Sequence, residues 1–164
     1  MNGTGGSLTL LIIEDDEVDR EKIRRLLASK WELTEVTTVT AGLESLKNSV
    51  PDCVLLDYRL PDRDGVDALP ELSAFGAPVV MMTGQGNEHI AVEAMKGGAE
   101  DYLPKTEINE VSLSRSLGNA IEKARLRREL EDRQEELKAF ASVVSHDLRS
   151  PMGTAMMLVE TIPV

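Results

Sequence analysis

Asp52-Cys53-Val54-Leu55-Leu56-Asp57 decides how the rest of this chain is read. Four apolar residues run without a break into a carboxylate. Such a run suits a strand buried on both faces of a parallel sheet, where no polar alternation is needed. Asp57 then stands where strand gives way to loop. In open α/β sheets, ligands gather at the carboxyl ends of the strands. Taken alone, Asp57 has a second reading: it starts a turn that Pro61-Asp62-Arg63-Asp64-Gly65 continues.

Working outward, the same pattern recurs. Leu8-Thr9-Leu10-Leu11-Ile12-Ile13 is a β-rich run ending in Glu14-Asp15-Asp16. A helix is predicted over 18–29, with Ile23, Leu26 and Leu27 at helical spacing. A weaker strand follows over 31–36. Thr40 is the predicted cap of a helix reaching Asn48, with Glu44 near the capping-box position. After the Asp57 strand, a short helix over 66–75 is interrupted or started late by Pro70. Pro78-Val79-Val80-Met81-Met82 is another buried strand, ending in Thr83-Gly84. A helix over 88–96 stops at Gly97-Gly98, and Asp101-Tyr102-Leu103 is a short strand before Pro104-Lys105. Strand then helix, five times, implies a parallel sheet with helices on both faces, since each crossover is right-handed. Parallel strands bring Glu14, Asp15, Asp57, Thr83 and Lys105 to one edge of that sheet.

The totals agree with one domain plus an extension. The chain has 164 residues, with a hydrophobic content of 41% and only 3% aromatics, so the core is aliphatic. Its formal charge of −11 argues against direct binding to nucleic-acid backbone. Cys53 is the single cysteine, which excludes an internal disulfide and fits a reducing compartment. Its bland role is that of a small buried hydrophobe. Residues 1–7 read as a flexible tail. No signal peptide and no membrane-spanning apolar run is found, so a soluble, cytoplasmic protein is expected.

From about Glu110 the composition turns to Glu, Arg, Lys, Leu and Ala, and no proline occurs before Pro151. Forty helical residues would span roughly 60 Å. Val111, Leu113, Leu117 and Ile121 are expected to pack on the sheet. Beyond Leu126, Leu130, Leu137 and Val144 recur every seven residues, with Ala141 and Leu148 at a second offset. That is a coiled-coil-like seam and implies a partner helix. Arg127 and Gln134 interrupt it, which leaves open a solvated helix held by pairs such as Glu129–Arg133.

Three carboxylates at one sheet edge repel one another unless something positive offsets them. Lys105 and a divalent cation are the two candidates, and an all-oxygen site suits Mg2+. A carboxylate held beside Mg2+ can attack a phosphoryl group while metal and ammonium offset charge on the transferring oxygens. The Thr83 hydroxyl can bond a phosphoryl oxygen, and Gly84 leaves room for it. These residues describe an aspartyl-phosphate site.

At this point the chain resembles the receiver domain of two-component response regulators. The matching pieces are Ile12-Ile13-Glu14-Asp15-Asp16, Val54-Leu55-Leu56-Asp57-Tyr58-Arg59-Leu60-Pro61, Asp64-Gly65, Met82-Thr83-Gly84 and Gly98-Ala99-Glu100-Asp101-Tyr102-Leu103-Pro104-Lys105. They span about residues 8–125. The resemblance implies a flavodoxin-like, doubly wound, five-stranded parallel α/β sheet. It implies that Asp57 is the phosphoacceptor and that Asp15, Glu14, Asp57 and the backbone carbonyl of Arg59 hold Mg2+. Thr83 and Lys105 would bind the phosphoryl group, Tyr102 would be the aromatic switch that follows Thr83 inward, and Asp16 would be the spare acid. The chain departs from the family pattern in two places. Thr106 stands where a proline, joined by a cis bond, usually follows the lysine, and a cis bond there would cost about 2.5–4 kcal/mol. Arg59 is also bulkier than many residues at its position and is expected to modulate access to the site.

A second motif lies at Phe140-Ala141-Ser142-Val143-Val144-Ser145-His146-Asp147-Leu148-Arg149-Ser150-Pro151. An acidic neighbour can orient the imidazole and take its proton. The stretch resembles the H-box of sensor histidine kinases. That resemblance implies that His146 is autophosphorylated, Asp147 is the general base and Pro151 kinks the helix. The expected organisation is a receiver domain over 8–125, a helical coiled-coil linker over 126–139 and the first helix of a dimerisation and phosphotransfer domain over 140–164. No ATP-binding motif occurs in these residues, so the chain is not expected to phosphorylate His146 alone. The expected function is Mg2+-dependent phosphoryl acceptance at Asp57 from a histidine kinase or phosphotransfer protein, regulating an attached kinase. A parallel homodimer through the long helix is expected, with no nucleic-acid or membrane partner. The alternative is a non-catalytic, phosphorylation-switched binding module with a vestigial His146.

Overall fold

The computed structural model describes residues 6–84 and 88–161, with side chains to residue 148. Five strands alternate with helices: β1 Leu8–Ile13, α1 Glu17–Leu27, β2 Trp31–Val36, α2 Val39–Asn48, β3 Cys53–Asp57, α3 Gly65–Ser73, β4 Val79–Thr83, α4 Glu88–Gly97, β5 Asp101–Pro104 and α5 Glu110–Thr161. A single turn of 3-10 helix, Lys105–Glu107, joins β5 to α5. All strand pairings are parallel, in the order β2-β1-β3-β4-β5. The order reverses between β1 and β3, which opens a crevice at their carboxyl ends.

The apolar run 53–56 is fully buried, as a strand covered on both faces requires. Its side chains alternate. Val54 and Leu56 join one core with Leu69, Leu72 and Ile90, under α2, α3 and α4. Cys53 and Leu55 join the other with Ile23, Leu27, Leu113 and Leu117, from α1 and α5. Asp57 continues the Cys53–Leu55 side of the strand. Trp31 packs in that second core, and burial pushes the Cys53 thiol up to about 12, so neither residue is free for surface chemistry.

Three local expectations are corrected. Thr38, not Thr40, caps α2: its backbone is extended and its Oγ1 accepts from the Ala41 N–H at 3.0 Å. The Thr40 hydroxyl instead donates to Asp62 at 2.8 Å. Pro70 neither starts nor interrupts α3, which runs from Gly65 through it to Ser73. The proline removes one helical bond, while Ala68, Leu69 and Leu72 remain buried around it. Val111 is exposed rather than packed. It lies two residues before the buried Leu113, about 200° around the helix, so the packed stripe is Leu113, Ser116, Leu117, Ala120 and Ala124.

The chain divides into two compact units, Met1–Ala124 and Arg125–Val164. The first contains the sheet. Its part of α5 is capped by Asn109, whose Oδ1 accepts from the Ser112 N–H at 2.9 Å while its own N–H donates to Ser112 Oγ at 3.0 Å. The second unit is helical through Thr161, with Pro151 inside the helix. Its described residues from 125 to 148 are exposed apart from the half-buried Ser145. No helix among the described residues is long and apolar enough to cross a membrane.

Candidate functional site: an acidic crevice around Lys105

Register sets the site. Ile13 pairs with Leu56, Asp57 with Met82 and Thr83 with Pro104. One step past these pairs, Glu14, Asp57, Thr83 and Lys105 meet at the carboxyl edge. Three of the flanking backbone bonds are also fixed. The Glu14 N–H donates to the Val36 carbonyl at 3.0 Å, Tyr58 N–H to the Met82 carbonyl at 3.0 Å, and Gly65 N–H to the Tyr58 carbonyl at 2.7 Å. Gly65 is needed for space: a Cβ there would lie 2.3 Å from the Asp57 carbonyl oxygen. Arg59 forms an isolated antiparallel bridge with Asp64, closing the loop after β3.

Glu14, Asp15 and Asp57 each present an oxygen within 4.8 Å of the others. Glu14 and Asp57 are buried and Asp15 is exposed. Burial pushes the Glu14 carboxyl up to about 7, against the pull of Lys105. Burial likewise raises Asp57 above the usual carboxylate range, again opposed by Lys105. Two buried acids held this close call for positive charge. A donor set made only of carboxylate oxygens, one of them open to water, fits a hard cation such as Mg2+.

Asp16, the spare acid of the sequence reading, has other work. Its side chain accepts from the Asp19 N–H at 3.0 Å and caps α1, and its own N–H donates to Glu14 Oε1 at 3.0 Å. The acidic pair that faces Asp57 is therefore Glu14 and Asp15.

Lys105 reaches the crevice from the 3-10 turn. Its Nζ lies 2.8 Å from Glu14 Oε2, 2.9 Å from Asp19 Oδ2 and 3.1 Å from Asp57 Oδ1. Burial alone would lower its affinity for a proton. The bonds to Asp19 and Glu14 and the field of Asp57 outweigh that and hold the ammonium above its ordinary value. No peptide bond among the described residues is cis, so Lys105 achieves this aim with a trans bond to Thr106.

Thr83 is buried at the end of β4, and Gly84 beside it is exposed. Tyr102 is exposed on the edge strand β5. His146 and Asp147 lie in the second unit. The imidazole is 86% exposed, with Nδ1 3.7 Å from Asp147 Oδ1, within ion-pair range and beyond hydrogen-bonding distance.

Sequence reasoning missed three residues that shape the crevice. Asp19 joins Lys105 across 86 positions. Arg20 Nη1 donates to the Glu14 carbonyl at 2.7 Å and steadies the turn after β1. Asp62 accepts from the N–H groups of Val39 at 3.0 Å and Thr40 at 2.8 Å, tying the loop after β3 to the start of α2. The helical spacing of Asp19 and Arg20 from Asp15 and Asp16 was the only available signal.

Residues 10–116 match the response regulator receiver domain family, and the chain belongs to it. It is 41% identical over 104 residues to the transcriptional regulatory protein FixJ of Azorhizobium caulinodans, covering 60% of this chain and 48% of FixJ. It is 33% identical over 99 residues to the chemotaxis protein CheY of Halobacterium salinarum, covering 58% of this chain and 82% of that one. The chain thus spans about half the length of FixJ. Among solved structures, the receiver domain of the sensor histidine kinase PA1611 from Pseudomonas aeruginosa superposes with a TM-score of 0.64 at 26% identity. That match covers 71% of this chain and 98% of that domain, which carries a magnesium ion in its active-site cleft.

Proposed function

We propose that this chain is a phosphorylation switch of two-component signalling in which Asp57 accepts a phosphoryl group from the phosphohistidine of a kinase or phosphotransfer protein. The observation that carries this reading is the buried Asp57 carboxylate with Lys105 Nζ at 3.1 Å and the Glu14 and Asp15 oxygens beside it. In the step, an Asp57 oxygen forms a bond to phosphorus as the P–N bond of the donor breaks, and the imidazole leaves with a proton. Glu14, Asp15, Asp57 and the backbone carbonyl of Arg59 would hold Mg2+, whose charge offsets that of the transferring oxygens. Lys105 supplies an ammonium to one phosphoryl oxygen and Thr83 a hydroxyl to another. Tyr102, exposed on β5 next to the Thr83 strand, is the aromatic group that reports the change at the surface.

The second unit extends this reading. Leu130, Leu137, Val144 and Leu148 are exposed large hydrophobics on α5, which supports a partner helix from a second copy in a parallel dimer. His146 with Asp147 is the start of a histidine-kinase phosphotransfer helix, and phosphorylation at Asp57 acts on it through α5.

The test is intact mass after incubation with acetyl phosphate and Mg2+. Wild type is expected to gain one hydroxylamine-labile phosphoryl adduct and Asp57→Asn none. An adduct that survives Asp57→Asn, or no adduct on wild type under conditions that label CheY, refutes the acceptor assignment.

A further inference from the structure

We infer that Asp19 is a positioning residue for phosphoryl transfer, holding the Lys105 ammonium in place from α1 when the other two acids are committed to metal and phosphorus. The inference rests on the acceptor role of Asp57 given above.

An ammonium has three N–H donors, and Lys105 Nζ has three carboxylate neighbours at 2.8, 2.9 and 3.1 Å. Two of the three, Glu14 and Asp57, belong to the cation-binding cluster, and Asp19 does not. Once Glu14 turns to a cation and Asp57 to phosphorus, their oxygens are no longer available to fix the lysine. Asp19 is the partner that remains. Without it, a four-carbon stem with free rotamers must find the phosphoryl oxygen unaided.

Asp19 is itself well placed for this. Its backbone N–H is held by the Asp16 side chain, so it sits in the first turn of a capped helix. Its neighbour Arg20 is anchored to the Glu14 carbonyl. The turn that presents Glu14 therefore also presents the anchor for Lys105. This contact has a particular use here, because Thr106 replaces the proline that stiffens the lysine loop in the family pattern described above. The side chain of Asp19 is about one-third exposed, at 35%, so the contact is open to change without opening the core.

The experiment compares wild type, Asp19→Asn and Asp19→Ala in three measurements: the rate of adduct formation with acetyl phosphate at saturating Mg2+, the Mg2+ affinity by calorimetry, and the Lys105 ammonium signal in 15N-lysine NMR. Melting temperature serves as the folding control. Both variants are expected to slow adduct formation by about tenfold, as loss of aim at a reacting group does. Mg2+ affinity stays within about twofold, and the Lys105 signal broadens into solvent exchange. A merely structural role would leave that signal sharp. Wild-type or faster labelling in both variants, an unchanged Lys105 signal, or a rate loss matched by lost Mg2+ affinity overturns the inference. If wild type itself takes no phosphoryl group, the acceptor reading falls and this inference with it. Normal labelling of all three proteins removes only the role of Asp19.

Discussion

The Asp57 carboxylate is buried and has an ammonium 3.1 Å away, whereas the His146 imidazole is 86% exposed with one carboxylate at 3.7 Å. Both side chains are proposed phosphoryl acceptors. What differs is the surroundings. Asp57 gathers groups from β1, α1 and the turn after β5, because parallel strands deliver their ends to one edge. A residue on an exposed helix gathers only what its own helix supplies within a turn or so. Burial at Asp57 shifts ionisation and fixes distances. His146, on an exposed stretch of helix, has no such enclosure.

The two regions should also differ in what their apolar residues do. Leu56 is fully buried and Leu137 is 66% exposed. Leu56→Ala is expected to lower the unfolding free energy by about 2–5 kcal/mol. Leu137→Ala should change it by less than about 0.5 kcal/mol under conditions where ultracentrifugation finds a monomer. Urea melts of both variants check this, and equal losses would break the contrast. Next in size is Gly65→Ala. A Cβ 2.3 Å from the Asp57 carbonyl oxygen meets backbone, not a flexible side chain. The loop after β3 must move, at about 1–3 kcal/mol, and a variant as stable as wild type would show that this loop yields freely.

Asp62 gives a smaller expected effect than Leu56 or Gly65, and the one with a pH signature. Asp62 is exposed, and the slight desolvation it meets would raise its carboxyl. The bonds from Thr40 and Val39 outweigh that and lower it to about 2. A depressed acid stabilises the fold above its unfolded value, near 4, and loses that stabilisation as pH falls toward about 2. Asp62→Asn should therefore cost about 1 kcal/mol at neutral pH, as a lost helix cap does. The gap to wild type should close between pH 4 and 2. Thermal melts across that range test it, and a constant gap would mean the contact is not electrostatic.

Much of the first unit was legible because its signals are local. The apolar run 53–56 can only be buried on both faces, and β4 repeats it. The acids after β1 and β3 stand where any parallel sheet collects its strand ends. The exceptions share a cause. Thr40 fits a capping pattern, but Asp62, 22 positions on, takes its hydroxyl and leaves the cap to Thr38. Val111 fits an apolar spacing, but the direction from which α5 meets the sheet selects Leu113 instead. Pro70 is a helix breaker by propensity, and buried neighbours override it.

By itself, the sequence determined the strand–helix alternation, the parallel sheet and the set of acids and lysine at one edge, because strand burial and chain direction are properties of short segments. Only the structure showed that Asp16, the spare acid, caps α1. It alone brought Asp19 to Lys105 and pinned the loop after β3 with Asp62. The Asp62 and Asp19 contacts join residues 22 to 86 positions apart, and no local pattern encodes which distant oxygen an ammonium or a helix end will find.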